Sequence, residues 1–269
     1  MMRALAQILL PLAIATLAVA SVQAQETLFP RSTQTTSVGI VYDREVTGTA
    51  ALHTNGFYAG FTVAKLKSYY KTSYWGAKVG LVKHPREVKT SERSVQFGQG
   101  SGSFVYGKRN ALIPVRAVKG WKRYYSGKDR RRGVAVGTSL ELGLTAGLVK
   151  PYVLEIAGTG NEVNSRAQFY AYEEAGDIPA NPEGFLQRDR INGTGGLRRG
   201  WGGLSVLPGV NAKAAIHLDW GAYDEFVKAL EAGIMVDAFA DAVPLVIEPA
   251  NNTPLFVNFF VSVHLGKRR

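Results

Sequence analysis

The sequence predicts an all-β protein: a closed antiparallel transmembrane β-barrel of about ten strands, with eight as the alternative and both chain ends periplasmic. Three observations predict it. The chain opens on a secretory signal, long segments with alternating apolar residues recur along it, and its last strand has one unbroken apolar face. A strand turns successive side chains to opposite faces. In the closing stretch PLFVNFFVSVHLGKRR, Leu255, Val257, Phe259, Val261, Val263 and Leu265 therefore share one face, and Phe256, Asn258, Phe260, Ser262 and His264 share the other.

Met1-Met2-Arg3, an apolar run through Ile8, Leu12, Leu17 and Val19, and the small residues up to Ala24 read as a signal peptide over residues 1–24. A retained anchor helix is the alternative, but Pro11 breaks the run, which falls short of the roughly 20 residues a spanning helix needs. Residues 25–269 are then the barrel, and no cysteine is present to staple it or to hold a metal. Net charge is +11. In an exported chain whose basic residues cluster between strands, anionic lipid headgroups and lipopolysaccharide are the expected neighbours, and nucleic acid is not.

Upstream strands repeat the pattern of the last. Val134, Val136, Thr138, Leu140, Leu142 and Leu144 oppose Ala135, Gly137, Ser139, Glu141 and Gly143. Val210, Ala212, Ala214, Ile216 and Leu218 oppose Asn211, Lys213, Ala215, His217 and Asp219. Leu230, Ala232, Ile234 and Val236 oppose Glu231, Gly233, Met235 and Asp237. A soluble barrel or sandwich also alternates, but a polar face mixing glycine with charges of both signs fits a membrane-barrel lumen better.

Ten candidate strands follow: 35–44, 54–67, 72–84, 101–107, 111–124, 133–148, 151–157, 206–220, 226–240 and 254–265. Dropping 101–107 and 151–157 gives the eight-strand alternative. In the ten-strand reading, short connections at 68–71, 108–110, 149–150 and 221–225 are periplasmic, while 85–100, 125–132 and the long loop 158–205 are extracellular. Pro114 and Pro208 cannot donate to a ladder, so they belong near strand ends or bulges. Trp75, Trp121, Tyr124, Tyr125, Tyr152 and Trp220 fall near strand ends, where aromatic rings favour the headgroup layer.

The stretches LVKHPREVKT, FVYGKRNALIPVRAVKGWKRYYSGKDRRRGVAV and GLVKPYVLEI, with the ending FFVSVHLGKRR, resemble an uncharacterised family of outer-membrane β-barrel proteins of Bacteroidota. The resemblance runs from about Gly56 onward and is weakest over 158–205. It implies an outer-membrane barrel and carries no catalytic residue. It also implies that the final strand is the assembly signal, with Lys267, Arg268 and Arg269 trailing into the periplasm.

Two groups of candidate residues stand out. Lys78, Arg116, Glu141, Lys213, His217, Asp219, Glu231, Asp237 and His264 take the inward parity and read as a lumen polar network, because isolated buried charges are costly. The competing reading is a water path lined by both signs. The second group is Trp121, Lys122, Arg123, Lys128, Arg130, Arg131 and Arg132, expected at the outer rim as a clamp for lipopolysaccharide phosphate or as a solvated basic hairpin. His217 beside Asp219, with Ser262 or Ser139, could be imagined as a lipid-hydrolase constellation, but no spacing enforces it. The four histidines lack zinc spacing, and GTGGLRRGWGG neither follows a strand nor opens a helix as a phosphate loop would. No cofactor is expected. The expected role is a non-enzymatic accessory or scaffold barrel of an envelope complex (secretion or barrel assembly), with a small ion or solute channel as the alternative and a lipid-modifying enzyme as a third reading.

Overall fold

The computed structural model describes residues 42–68, 70–90, 103–125, 133–156, 168–196, 198–221 and 225–269. The signal peptide reading, and Lys128, Arg130, Arg131 and Arg132, lie outside them. Eight antiparallel strands close a barrel: β1 (Arg44–His53), β2 (Gly56–Ser68), β3 (Lys71–Val82), β6 (Asn110–Tyr124), β7 (Ala135–Pro151), β11 (Ser205–Asp219), β12 (Phe226–Phe239) and β13 (Leu255–Arg268). Each pairs with the next in sequence, and β1 closes onto β13 from Glu45↔Arg268 to His53↔Phe260. This is the eight-strand alternative rather than the ten-strand reading.

Two expected strands leave the barrel, and a third shifts. Segment 101–107 contributes only Phe104–Val105 (β5), which pairs with Lys89–Thr90 (β4). Segment 151–157 supplies Val153–Ile156 (β8), the centre of a small sheet with Gln168–Ala171 (β9) and Ile191–Thr194 (β10). Both are apolar because they pack under loops: Phe104, Leu154, Ile156, Phe185 and Ile191 form one buried cluster. Most of the expected strand 35–44 lies outside the described residues; the first described strand, β1, falls where a connection was expected. Its outward residues Val46, Gly48 and Ala50 are small or only mildly apolar, so its alternation is faint in the sequence.

Removing 101–107 from the count reverses the direction of the next hairpin. The connection 125–134 therefore lies at the same barrel end as Arg44 and Arg268, the terminal end, and not at the opposite, loop end. Residues 108–110 and 149–150 likewise do not lie at the terminal end but at the loop end of β6 and β7. At that end sit the tight turn 54–55 and the connections 83–109, 152–204 and 240–254. The described part of 152–204 folds outside the lumen as a cap, built on β8–β10 and a short helix α1 (Pro182–Leu186). Asn181 caps that helix by accepting a hydrogen bond from the Gly184 N–H.

Both prolines sit where the ladder has no use for an N–H. Pro114 pairs with Gly147 on one side, while on the other the β3 ladder skips from Val79↔Val115 to Val82↔Leu112. Pro208 pairs with Ala146 but lies beyond Gly209↔Phe239, the last rung to β12. The outer wall is apolar: Leu140, Leu142 and Leu144 on β7 are 57%, 58% and 71% exposed, and the odd-numbered apolar residues of β13 from Leu255 to Leu265 are exposed as well. At the terminal end Trp75, Trp121, Tyr125 and Trp220 point outward. Lys119 lies over the Trp75 ring at 4.9 Å and near that of Trp121 at 5.9 Å, its stem running along the wall. Tyr124 instead turns inward, and Tyr152 belongs to the cap.

Candidate functional site: the lumen

Even periodicity places every inward side chain of the eight strands in one narrow interior, where a charge can be kept only with a partner. Among the described residues of the lumen, five buried cations (Lys78, Arg116, Lys122, Lys213 and Arg268) meet five buried carboxylates (Glu45, Glu141, Asp219, Glu231 and Asp237). Each of the ten has an opposite charge within ion-pair distance.

The central group is a chain of bonds across five strands. Lys78 Nζ donates to both Glu141 oxygens at 2.5 and 2.7 Å, and the Tyr74 hydroxyl donates to Glu141 Oε2 at 3.0 Å. Lys213 bridges onward, 3.2 Å from Glu141 and 2.7 Å from Glu231. Glu231 is the hub: His217 Nδ1 lies 2.9 Å from its Oε1, and His264 Nε2 lies 3.2 Å from its Oε2. Toward the loop end, Arg116 grips Asp237 with two bonds of 2.8 Å, and Asn211 donates to the same carboxylate at 3.0 Å. Such a fork fixes the relative position of β6 and β12 across the barrel.

All nine residues of the expected lumen network thus face inward and are buried. Their pairings depart from sequence proximity. His217 pairs with Glu231, not with Asp219 two residues away; Asp219 instead accepts from Arg268 at 2.8 Å and from the Tyr124 hydroxyl at 3.1 Å.

Of that second group, at the terminal end, the sequence points only to Asp219. Glu45 accepts from Arg268 at 2.9 Å and from Lys122 at 3.3 Å. Arg268 does not trail from the last strand as the resemblance implies: β13 continues through it and turns it inward. Lys122 is not on the outer rim, where the basic stretch suggests it; its even parity, shared with Arg116, turns it into the lumen. Of that rim group's described members, only Trp121 and Arg123 face outward, and they do so at the terminal end. Continuing the odd and even parities by four more residues would have found Arg268.

The loop end of the lumen is stoppered. Val82, Leu112, Val149, Phe239 and Phe256 from the strands close around Val243 and Leu245, which descend from the connection 240–254. A smaller apolar cluster of Ala51, Tyr58, Ala215, Met235 and Phe260 packs beside the central charges, with Lys213 5.6 Å from the Phe260 ring and Lys78 5.4 Å from the Tyr58 ring. The constellation of His217, Asp219 and Ser262 or Ser139 does not assemble among the described residues: Glu231 takes the place of Asp219 on His217, Ser262 faces His264, and Ser139 Oγ and His217 Nε2 have no partner. Ser262 Oγ lies 3.0 Å from His264 Nε2, but Glu231 approaches that same nitrogen, and Thr49 Oγ1 occupies Nδ1 at 3.0 Å. A triad needs the carboxylate on the nitrogen opposite the nucleophile. Ser139 is fully buried on β7, and its hydroxyl has no partner among the described residues.

No family model matches the chain, and no curated protein matches it. Among solved structures, the N-terminal β-barrel domain of Pseudomonas aeruginosa OprF aligns with 84% of this chain and 96% of its own length, at 8% identity and a TM-score of 0.33.

Proposed function

We propose that the chain is an integral outer-membrane β-barrel with a closed lumen, acting as a non-enzymatic accessory or scaffold subunit of an envelope complex. The observation that carries this reading is the contrast between an interior filled by paired charges under an apolar stopper and a wall whose large apolar residues face outward. Contiguous exposed leucines and valines on this scale are what acyl chains cover. The three longest connections, 83–109, 152–204 and 240–254, share one end, which supports a periplasmic terminal end and an external loop end. The Bacteroidota resemblance belongs to the same proposal. A sealed lumen favours the scaffold role over the channel, because ions would have to cross the stopper and then break the salt bridges beneath it. What remains for work is the outside: the cap, which carries its own hydrophobic cluster, and the lipid-facing wall.

The test is purification in mild detergent from the native outer membrane, with a tag placed within residues 158–167. A reproducible stoichiometric partner is the expected result. A lone barrel that nevertheless conducts ions would overturn the scaffold reading.

A further inference from the structure

At the loop end, the cap does not lie flat on the barrel. A cavity of about 530 Å³ opens between them. Its floor is the outer wall itself, where Phe57 pairs with Leu81 across β2 and β3, and Ala111 pairs with Lys150 across β6 and β7. Its roof is held in place by the cap: Phe104 is buried in the cap cluster, and the Tyr152 hydroxyl accepts the Val105 N–H at 3.1 Å.

The charge of this cavity is one-sided. Lys83, Lys89, Lys108 and Lys150 line it against a single carboxylate, Glu87. Glu87 is taken by Lys108 at 2.6 Å. Lys150 is 3% exposed under the cap, with its ammonium 5.6 Å from the Trp201 ring, and no carboxylate among the described residues pairs with it, with Lys83 or with Lys89. In the lumen every buried lysine has its carboxylate; here no described residue supplies one, and a bound anion would complete the site.

The site also has an apolar side. Phe57 is about half exposed at the top of the outer wall, continuous with the belt below it. Phosphate beside lysines and acyl chain beside phenylalanine and leucine is the chemistry of a phosphorylated lipid at the boundary between headgroups and hydrocarbon. We infer that this cavity is a binding site for a phosphorylated, multiply acylated lipid of the outer leaflet, with its phosphate on Lys83, Lys89 and Lys150 and an acyl chain along Phe57 and Leu81. This rests on the proposed membrane insertion and on the loop end facing outward. It moves the lipid-phosphate contact from the basic hairpin after β6, where the sequence suggested it, to the opposite end of the barrel.

The experiment uses the full chain inserted into phosphatidylcholine vesicles containing diphosphorylated lipid A, followed by detergent extraction and quantification of lipid A per barrel. The wild type is expected to retain it. Lys83→Gln/Lys89→Gln, both exposed and outside the barrel strands, is expected to retain it roughly tenfold more weakly, as loss of two charge-assisted contacts implies. Lys65→Gln/Lys67→Gln, at the terminal end, is expected to retain it as the wild type does. Dephosphorylated lipid A should be lost on extraction, and excess inorganic phosphate should not displace the lipid. Unchanged retention by Lys83→Gln/Lys89→Gln, or equal loss from both pairs of substitutions, would overturn the site. Displacement by inorganic phosphate would overturn its lipid specificity. Failure of the wild-type protein to enter vesicles would instead sink the membrane reading, and the inference with it.

Discussion

Glu141 and Leu142 are neighbours in β7, yet one is buried against two lysines and a tyrosine and the other is 58% exposed on the wall. The same comparison holds along β13, where His264 and Leu265 part in the same way. The lumen is specific: Glu231 must meet Lys213, His217 and His264 at once, so a substitution there leaves charges stranded. The wall is generic, since any apolar side chain satisfies it. The difference teaches that in this barrel the polar interior defines the fold and the apolar surface defines its surroundings, the reverse of a soluble domain.

Substitutions on the two faces should sharpen that comparison unequally. Glu231→Ala is expected to cost most, roughly 3–5 kcal/mol, because it leaves buried Lys78 and Lys213 to share the single carboxylate of Glu141. The readout is the urea midpoint of the folded barrel in detergent, and Glu231→Gln combined with Lys213→Met should lose much less. Leu144→Lys, in the middle of the wall, is expected to cost roughly 2–4 kcal/mol of insertion free energy in lipid, while Val136→Lys, near the terminal rim, should be milder. Equal tolerance at the two positions would break the placement of the wall in the bilayer.

Gly120→Val tests a finer feature of the interior. Tyr74 pairs with Gly120 across β3 and β6 and lays its ring over it, so a branched side chain collides with the ring that reaches Glu141. A loss of roughly 1–3 kcal/mol in the same midpoint is expected from such overpacking. The smallest effect belongs to Lys267→Ala. Its 2.7 Å pair with Glu225 is about half exposed on both sides, and a loss within about 1 kcal/mol is expected.

The inward and outward faces were legible in the sequence because a period of two survives any error in strand count. Leu255 to Leu265 and the nine lumen residues carry that signal alone. The count itself was less legible. Segments 101–107 and 151–157 are apolar and bounded by turns, and nothing local distinguishes a cap strand from a barrel strand. One surplus strand then inverted the hairpin 111–148, which is why Trp121 and Arg123 were expected at the wrong end. Faint β1 and the inward end of β13 hid Glu45 and Arg268, and with them the second charge cluster. The stopper was illegible for another reason: Val243 and Leu245 lie in a connection, and only the closed barrel shows that the connection dips inward.

The central claim is that this barrel has no open path through its lumen. Single-channel recording of the pure, folded full-length protein in a planar bilayer tests it most directly. The account predicts a silent membrane in which insertion is nevertheless demonstrable by protease protection of the β-strands. Reproducible unitary conductance steps would contradict it, because no ion can pass while Val243 and Leu245 fill the loop end and Arg116 remains bound to Asp237.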